Sequence, residues 1–324
     1  MSYAVITDAQ RMAQRSKFLK EPTVVGVTCV PFSGGQPKGG VEDGPVEMVR
    51  FGMLDQIKSM GYTVELSEGM DKYAVKPTSD PPVGILKNPR YVSMAARRVA
   101  DQVRAHCEKR RMCVTLGGDH SIAMGTLSGS TAVYGDDLCV VWVDAHADIN
   151  TPDTTESGNL HGCPLSFILG LCEAKAPFDW MTPRLRKDRL VYIGLRDVDA
   201  GEKAILRAHG IKAFSMHDVD KHGIGKVVEM ALDHVNRDRS LPVHMSFDVD
   251  ALDPSVAPAT GTPVRGGLTF REGHYICEAV AESGCLVALD LVEVNPSLGD
   301  PESLRQTVAV GCSLVRCSLG ETLL

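Results

Sequence analysis

Residues 138–143, Leu-Cys-Val-Val-Trp-Val, form an apolar run with no polar position to mark a solvent side, and the run ends abruptly in Asp-Ala-His-Ala-Asp. A strand of this kind suits a parallel α/β sheet covered on both faces. Comparable runs recur at 23–32, 112–118, 190–196, 243–250 and 285–295. Between them lie segments of helical pattern at 46–60, 91–111, 201–209, 223–237, 269–283 and 301–320. That alternation predicts βα units around a parallel sheet. No linker rich in Ser, Gly or Pro interrupts it, so the 324 residues read as one domain rather than two.

The polar residues of these strands cluster at their C-terminal ends: Asp119 and His120, then Asp144 to Asp148, then Asp248 and Asp250, then Glu293. Open α/β sheets bind ligands at that edge, so separate segments point at one place. Asp144, His146 and Asp148 share a face only if the segment is extended, because on a helix His146 would lie nearly opposite its neighbours. Asp248 and Asp250 repeat the spacing, with Asp253-Pro254 turning the chain away. A lone Asp-Val-Asp is ordinary loop sequence; two such groups at the same sheet edge are not.

Carboxylates gathered without a basic residue repel one another, and a cation removes the difficulty. The candidate ligands are His120, His146, Asp144, Asp148, Asp248 and Asp250. Two divalent ions would cancel the charge of the four aspartates, and neutral imidazoles would complete the shells. An oxygen-rich set with one imidazole per metal and no thiolate favours a hard-to-borderline ion, Mn²⁺ above all, over tetrahedral zinc. Two shared carboxylates would set the ions roughly 3.5 Å apart, and a water held between them would lose a proton near neutral pH.

A net charge of −7 argues against a nucleic-acid partner, which would need clustered basic surface. The basic groups Lys109-Arg110-Arg111 and Arg184 to Arg189 read as solvated helix ends or loops. Ten cysteines show no CxxC pair and sit mostly inside apolar runs, as buried free thiols of a reducing compartment would. No stretch approaches the ~18 apolar residues of a membrane span, so no membrane partner is expected. The cytoplasm is the expected location. Arg11, Arg15, Lys17 and Lys20 leave a mitochondrial presequence as the lesser alternative.

Several motifs in order, "PFSGGQPKGGVEDGP" (31–45), "GGDHS" (117–121), "WVDAHADIN" (142–150), "SGNLHG" (157–162), "SFDVDALDP" (246–254), "ATGTPVRGGLT" (259–269) and "EVNPS" (293–297), resemble those of the arginase (ureohydrolase) family. The resemblance runs from about residue 22 to the C-terminus, leaving 1–21 as an N-terminal extension and 22–324 as a single catalytic domain. It implies a three-layer α/β/α fold with a parallel, eight-stranded sheet and a dimanganese cluster. On matching positions His120, Asp144, Asp148 and Asp248 would bind one ion, and His146, Asp144, Asp248 and Asp250 the other, with Asp144 and Asp248 as bridges. Glu293 would grip a guanidinium, while Asp148 and His161 would move the proton that the leaving amine needs. Asn150 and Ser157 resemble direct contacts to an α-carboxylate, with Thr155 and Asn159 reaching it more loosely. Asp199 resembles the α-ammonium contact, with Glu202 further out, and Thr262 lines the pocket.

The implied reaction is hydrolysis of L-arginine to L-ornithine and urea, in an enzyme expected to be a homotrimer. Agmatinase, whose substrate has no carboxylate, would not be expected to keep the polar loop "TTESGNLHG", which favours arginase over agmatinase or guanidinobutyrase. A catalytically silent relative acting as a regulatory subunit is the reading from another class, and the intact ligand set argues against it. Glu156 and Asp153 depart from the pattern by placing acid in the loop that should receive a carboxylate.

Overall fold

The computed structural model describes residues 6–322. Among them the chain runs α1 (Asp8–Arg15), β1 (Val24–Val30), α2 (Gly44–Arg50), α3 (Met53–Ser59), β2 (Thr63–Leu66), α4 (Pro89–Glu108), β3 (Met112–Gly117), α5 (Ala123–Tyr134) and β4 (Cys139–Val143). It continues through α6 (Pro164–Ile168), β5 (Leu190–Leu195), α7 (Ala200–His209), β6 (Lys212–Ser215), α8 (Met216–His222) and α9 (Ile224–Asn236). The last elements are β7 (Val243–Asp248), α10 (Phe270–Glu282), β8 (Leu286–Val292) and α11 (Pro301–Ser318). One eight-stranded sheet has the order β2-β1-β3-β8-β7-β4-β5-β6. Every pairing in it is parallel.

Strand periodicity divides the side chains between two cores. From β4, Cys139, Val141 and Val143 enter one core with residues of α1–α3 and α8–α11, while Val140 and Trp142 enter the other with α4, α5 and α6. Both faces of β4 are thus covered, as its unbroken apolar sequence requires, and the three-layer α/β/α arrangement follows. The strands absent from the apolar runs are β2 and β6, the two edges of the sheet. Thr-Val-Glu-Leu and Lys-Ala-Phe-Ser are short and partly exposed, so neither carries the buried-strand signature.

Two helical expectations need correction. The segment 46–60 is two helices, because Gly52 takes a left-handed φ of 95° between them. Helix α5, which the apolar pattern did not reveal, is buried nearly all round and has no polar face to set a period. It packs against α4 so closely that a Cβ on Gly125 would stand 2.3 Å from the Ala96 carbonyl oxygen, and one on Gly129 2.6 Å from that of Ala100.

The basic cluster after α4 is also not wholly solvated. Arg111 is buried and its guanidinium bonds Glu21 and Glu65, while Arg110 lies over the Tyr134 ring.

Candidate active site

Strands β3, β8, β7 and β4 are consecutive neighbours in the sheet, and their C-terminal ends deliver His120, Glu293, the pair Asp248 and Asp250, and the series Asp144 to Asp148. The strict extended spacing expected for these groups does not hold. Beyond Val143 the chain bends, with Asp144 Oδ1 accepting the His146 N–H at 2.7 Å. Asp248 ends β7 and its Oδ1 accepts the Asp250 N–H at 2.7 Å, which closes a 3₁₀ turn over Val249–Ala251. Aspartate side chains stabilise such turns by bonding backbone two residues on. Convergence is therefore produced by curling each strand end rather than by extending it. Asp148 and Glu293 also adopt left-handed backbone, φ 49° and 65°, uncommon for residues other than glycine and a recurrent mark of functional sites.

His120 Nδ1 stands 3.1 Å from Asp144 Oδ2, 3.2 Å from Asp148 Oδ2 and 3.3 Å from Asp248 Oδ2. It is fully buried yet makes no hydrogen bond of acceptable geometry. His146 Nδ1 lies 3.4 Å from Asp144 Oδ1 and 3.2 Å from Asp250 Oδ2. His120, Asp144 and Asp248 thus form one metal-ligating group, and Asp144, His146 and Asp250 a second, with Asp144 in both. Asp148 adjoins the first through His120.

The electrostatics carry the same message. Burial and then repulsion from Asp144 push the Asp148 carboxyl up to about 6. Burial and then Asp250 hold Asp248 well above the carboxylate range, and burial and then Asp144 raise Asp250. Burial also works against charge on Asp144, but His120 and His146 pull it below its usual value. Without a cation, these carboxylates must keep protons or borrow them from the imidazoles; divalent ions relieve that crowding.

Glu293 Oε1 accepts the His120 N–H at 2.8 Å and lies 3.5 Å from His161 Nδ1. Burial disfavours charge on His161, but the Glu293 contact prevails and raises its pKa to about 9. The predicted substrate contacts fall in two patches. Asn150 Nδ2 donates to Asp199 Oδ2 at 2.7 Å, and Asp199 caps α7, with Glu202 closing the capping box. Glu202 also accepts the Ile149 N–H at 3.2 Å, and burial followed by repulsion from Asp148 and Asp199 pushes it up to about 8.

In the loop, Thr155 is buried and its hydroxyl accepts from the Gly158 N–H, whereas Ser157 is exposed and accepts from the Asn159 N–H. Asp153 and Glu156 are both exposed. Thr262 donates to Asp250 Oδ2 at 2.9 Å, so it touches a ligand directly.

Sequence reasoning missed the residues beneath the ligands. Trp142 Nε1 donates to Asp144 Oδ2 at 2.9 Å and its ring stacks on His120 at 4.1 Å. Ser246 Oγ meets His120 Nε2 at 2.9 Å. Each lies two residues before a metal-ligating aspartate, on the same strand face, and period-two counting back from Asp144 and Asp248 would have found both. Arg196 donates to the carbonyls of Asp250, Ala251, Leu252 and Val264, tying together the loops that flank the site.

A doubly covered parallel sheet with two carboxylate–imidazole groups joined through one aspartate defines a class of binuclear metal enzyme. The sequence profile of the Arginase family matches residues 23–320. An arginase of Glaciozyma antarctica is 61% identical over 95% of this chain and 91% of its own length. The crystal structure of a cold-adapted arginase from the same yeast superposes with a TM-score of 0.79 at 54% identity, covering 95% of this chain and 98% of that one. The Entamoeba histolytica arginase in complex with L-ornithine gives 0.82 at 27% identity, covering 94% and 100%. The chain belongs to the arginase family, and relatives this similar over nearly its whole length make it a hydrolase with arginase activity.

Proposed function

We propose that this enzyme hydrolyses L-arginine to L-ornithine and urea with two Mn²⁺ ions. The observation that carries the metal reading is the buried, unbonded Nδ1 of His120 aimed at three carboxylate oxygens beside a second group that shares Asp144. The donor set fits manganese, being oxygen-rich with one imidazole for each ion and no thiolate. His120, Asp144, Asp148 and Asp248 would hold one ion, and His146, Asp144, Asp248 and Asp250 the other. Bound there, the ions would neutralise the carboxylates and supply the acidity that makes a water nucleophilic near neutral pH.

The chain's own residues orient the rest. Glu293 Oε1 is fixed by the His120 N–H, while Oε2 stands 3.7 Å from where a side chain on Gly261 would begin, so the missing side chain leaves room for a planar cation. Asn150 and Asp199, in hydrogen-bond contact, suit the carboxylate and ammonium of one α-amino acid, groups separated by a single carbon. Ser157, Thr155 and Asn159 extend the carboxylate side, Glu202 the ammonium side, and Thr262 borders the pocket. Water adds its oxygen to the guanidinium carbon, the bond to the arginine Nε breaks, and the departing amine takes a proton. His161, raised to about 9, holds one at neutral pH, and Asp148 is the other group placed to pass it. That the Entamoeba arginase binds L-ornithine supports the same ligand class here.

Urea release from L-arginine and from agmatine, each with and without added Mn²⁺, tests this reading. Manganese-dependent release from arginine is expected, and a preference for agmatine would overturn the substrate assignment. The same resemblance supports a homotrimer, measurable by light scattering, and the ten free thiols support a reducing, cytoplasmic location.

A further inference from the structure

The fully buried His120 is backed by a chain of equally buried polar groups that the reaction does not use. Its Nε2 meets Ser246 Oγ at 2.9 Å, and Ser246 Oγ lies 3.3 Å from Asp290 Oδ2 on the paired strand β8. The same Asp290 oxygen accepts from Thr126 Oγ1 of α5 at 2.6 Å and meets His244 Nε2 at 2.9 Å. His120, Thr126, His244, Ser246 and Asp290 are all at 0% exposure. A carboxylate placed so deep in a sheet carries a desolvation cost, so its retention points to a role other than stability.

We propose that Asp290, acting through Ser246, is a positioning residue that fixes the tautomer of His120 and so keeps the Nδ1 lone pair turned toward the metal. An ionised carboxylate can only accept hydrogen bonds. Ser246 Oγ donates to Asp290 Oδ2, and Thr126 Oγ1 donates to the same oxygen. The Ser246 proton therefore points at Asp290, its oxygen lone pair faces the imidazole, and Nε2 carries the hydrogen. Nδ1 is left bare, in agreement with its lack of any hydrogen bond. Outer partners that hold a ligating histidine in this way raise metal affinity. Among the described residues His146 has no comparable buried support: it is partly exposed, and its Nε2 lies 3.9 Å from the exposed Asp197. The device is therefore specific to one of the two metal-ligating groups.

The inference rests on the two-ion reading, and one titration separates the two. Metal-free protein would be titrated with MnCl₂ while electron paramagnetic resonance counts the free ion, for wild type, Ser246→Ala, Asp290→Asn and the double variant. Wild type should take up two ions per chain. Each single variant should weaken one site about 10- to 100-fold and leave the other within about 3-fold. The double variant should be no weaker than the worse single one, because both changes break the same chain. Circular dichroism of the metal-free forms checks folding. Should Asp290→Asn fail to fold, Ser246→Ala, which removes one oxygen atom, carries the test. Equal weakening of both sites, no weakening, or additive losses in the double variant would overturn the relay while leaving the two-ion reading intact. Wild type that binds no manganese would overturn both.

Discussion

Asp144 accepts hydrogen bonds from the Trp142 indole and the His146 backbone while belonging to both metal-ligating groups, whereas His161 belongs to neither and meets the site through Glu293. The two kinds of residue should fail differently. Asp148→Ala or Asp248→Ala should lose bound manganese and nearly all turnover, measured by metal analysis and urea release. His161→Ala should retain both ions and lose about 10²-fold in rate, within the range for a proton-transfer group; metal loss in that variant would contradict its placement. Of the site, the gathering of aspartates and histidines was legible because charge cannot be crowded at a sheet edge without a reason. Trp142 and Ser246 could be reached only by counting back along their strands from those aspartates, and Asp290 not at all, since an acid inside an apolar strand reads as noise until the neighbouring strand is known. Away from the site, His106 is buried with its Nε2 on Ser67 Oγ, and burial, then Arg111 and Lys109, push its pKa below 6.5. The unfolded chain binds that proton more readily, so stability should fall as pH drops below about 6.5 and toward the folded value. Urea denaturation between pH 7.5 and 5.5 should show this loss, and His106→Gln should remove part of the slope.

Among the elements, the α4–α5 contact is where sequence and structure diverge most instructively. Gly125 and Gly129 look like helix breakers in a segment rich in Ser and Thr, and nothing in a single sequence announces that another helix lies across them. Gly125→Ala would gain about 1 kcal/mol of helix propensity. It would also drive a methyl group to 2.3 Å from a backbone oxygen that cannot move aside cheaply. Overpacking of this kind typically costs about 1–3 kcal/mol and here involves backbone, so the net effect should be destabilising. A lower denaturation midpoint with an unchanged denaturant slope would verify it. The six inner strands were readable because continuous apolar composition has one structural solution. The edge strands β2 and β6 were not, because partial exposure lets polar residues in and erases the signal. The split between α2 and α3 turned on a single backbone angle at Gly52.

On the scale of the molecule, the sheet is filled from the flanks inward. Strands β1 to β3 build one side and β4 to β6 the other, and β7 and β8 then enter between β3 and β4. The alternation of elements was visible in the chain, but this order of insertion was not, since nothing local in a strand names its neighbour. His120 and Asp144 therefore stand on strands that touch only through the final third of the polypeptide. During synthesis on the ribosome, the nascent chain can bury much apolar surface before those last strands emerge, yet the pocket has no floor until they do. The complete set of carboxylates and imidazoles is thereby reserved for a chain whose last two strands have been inserted.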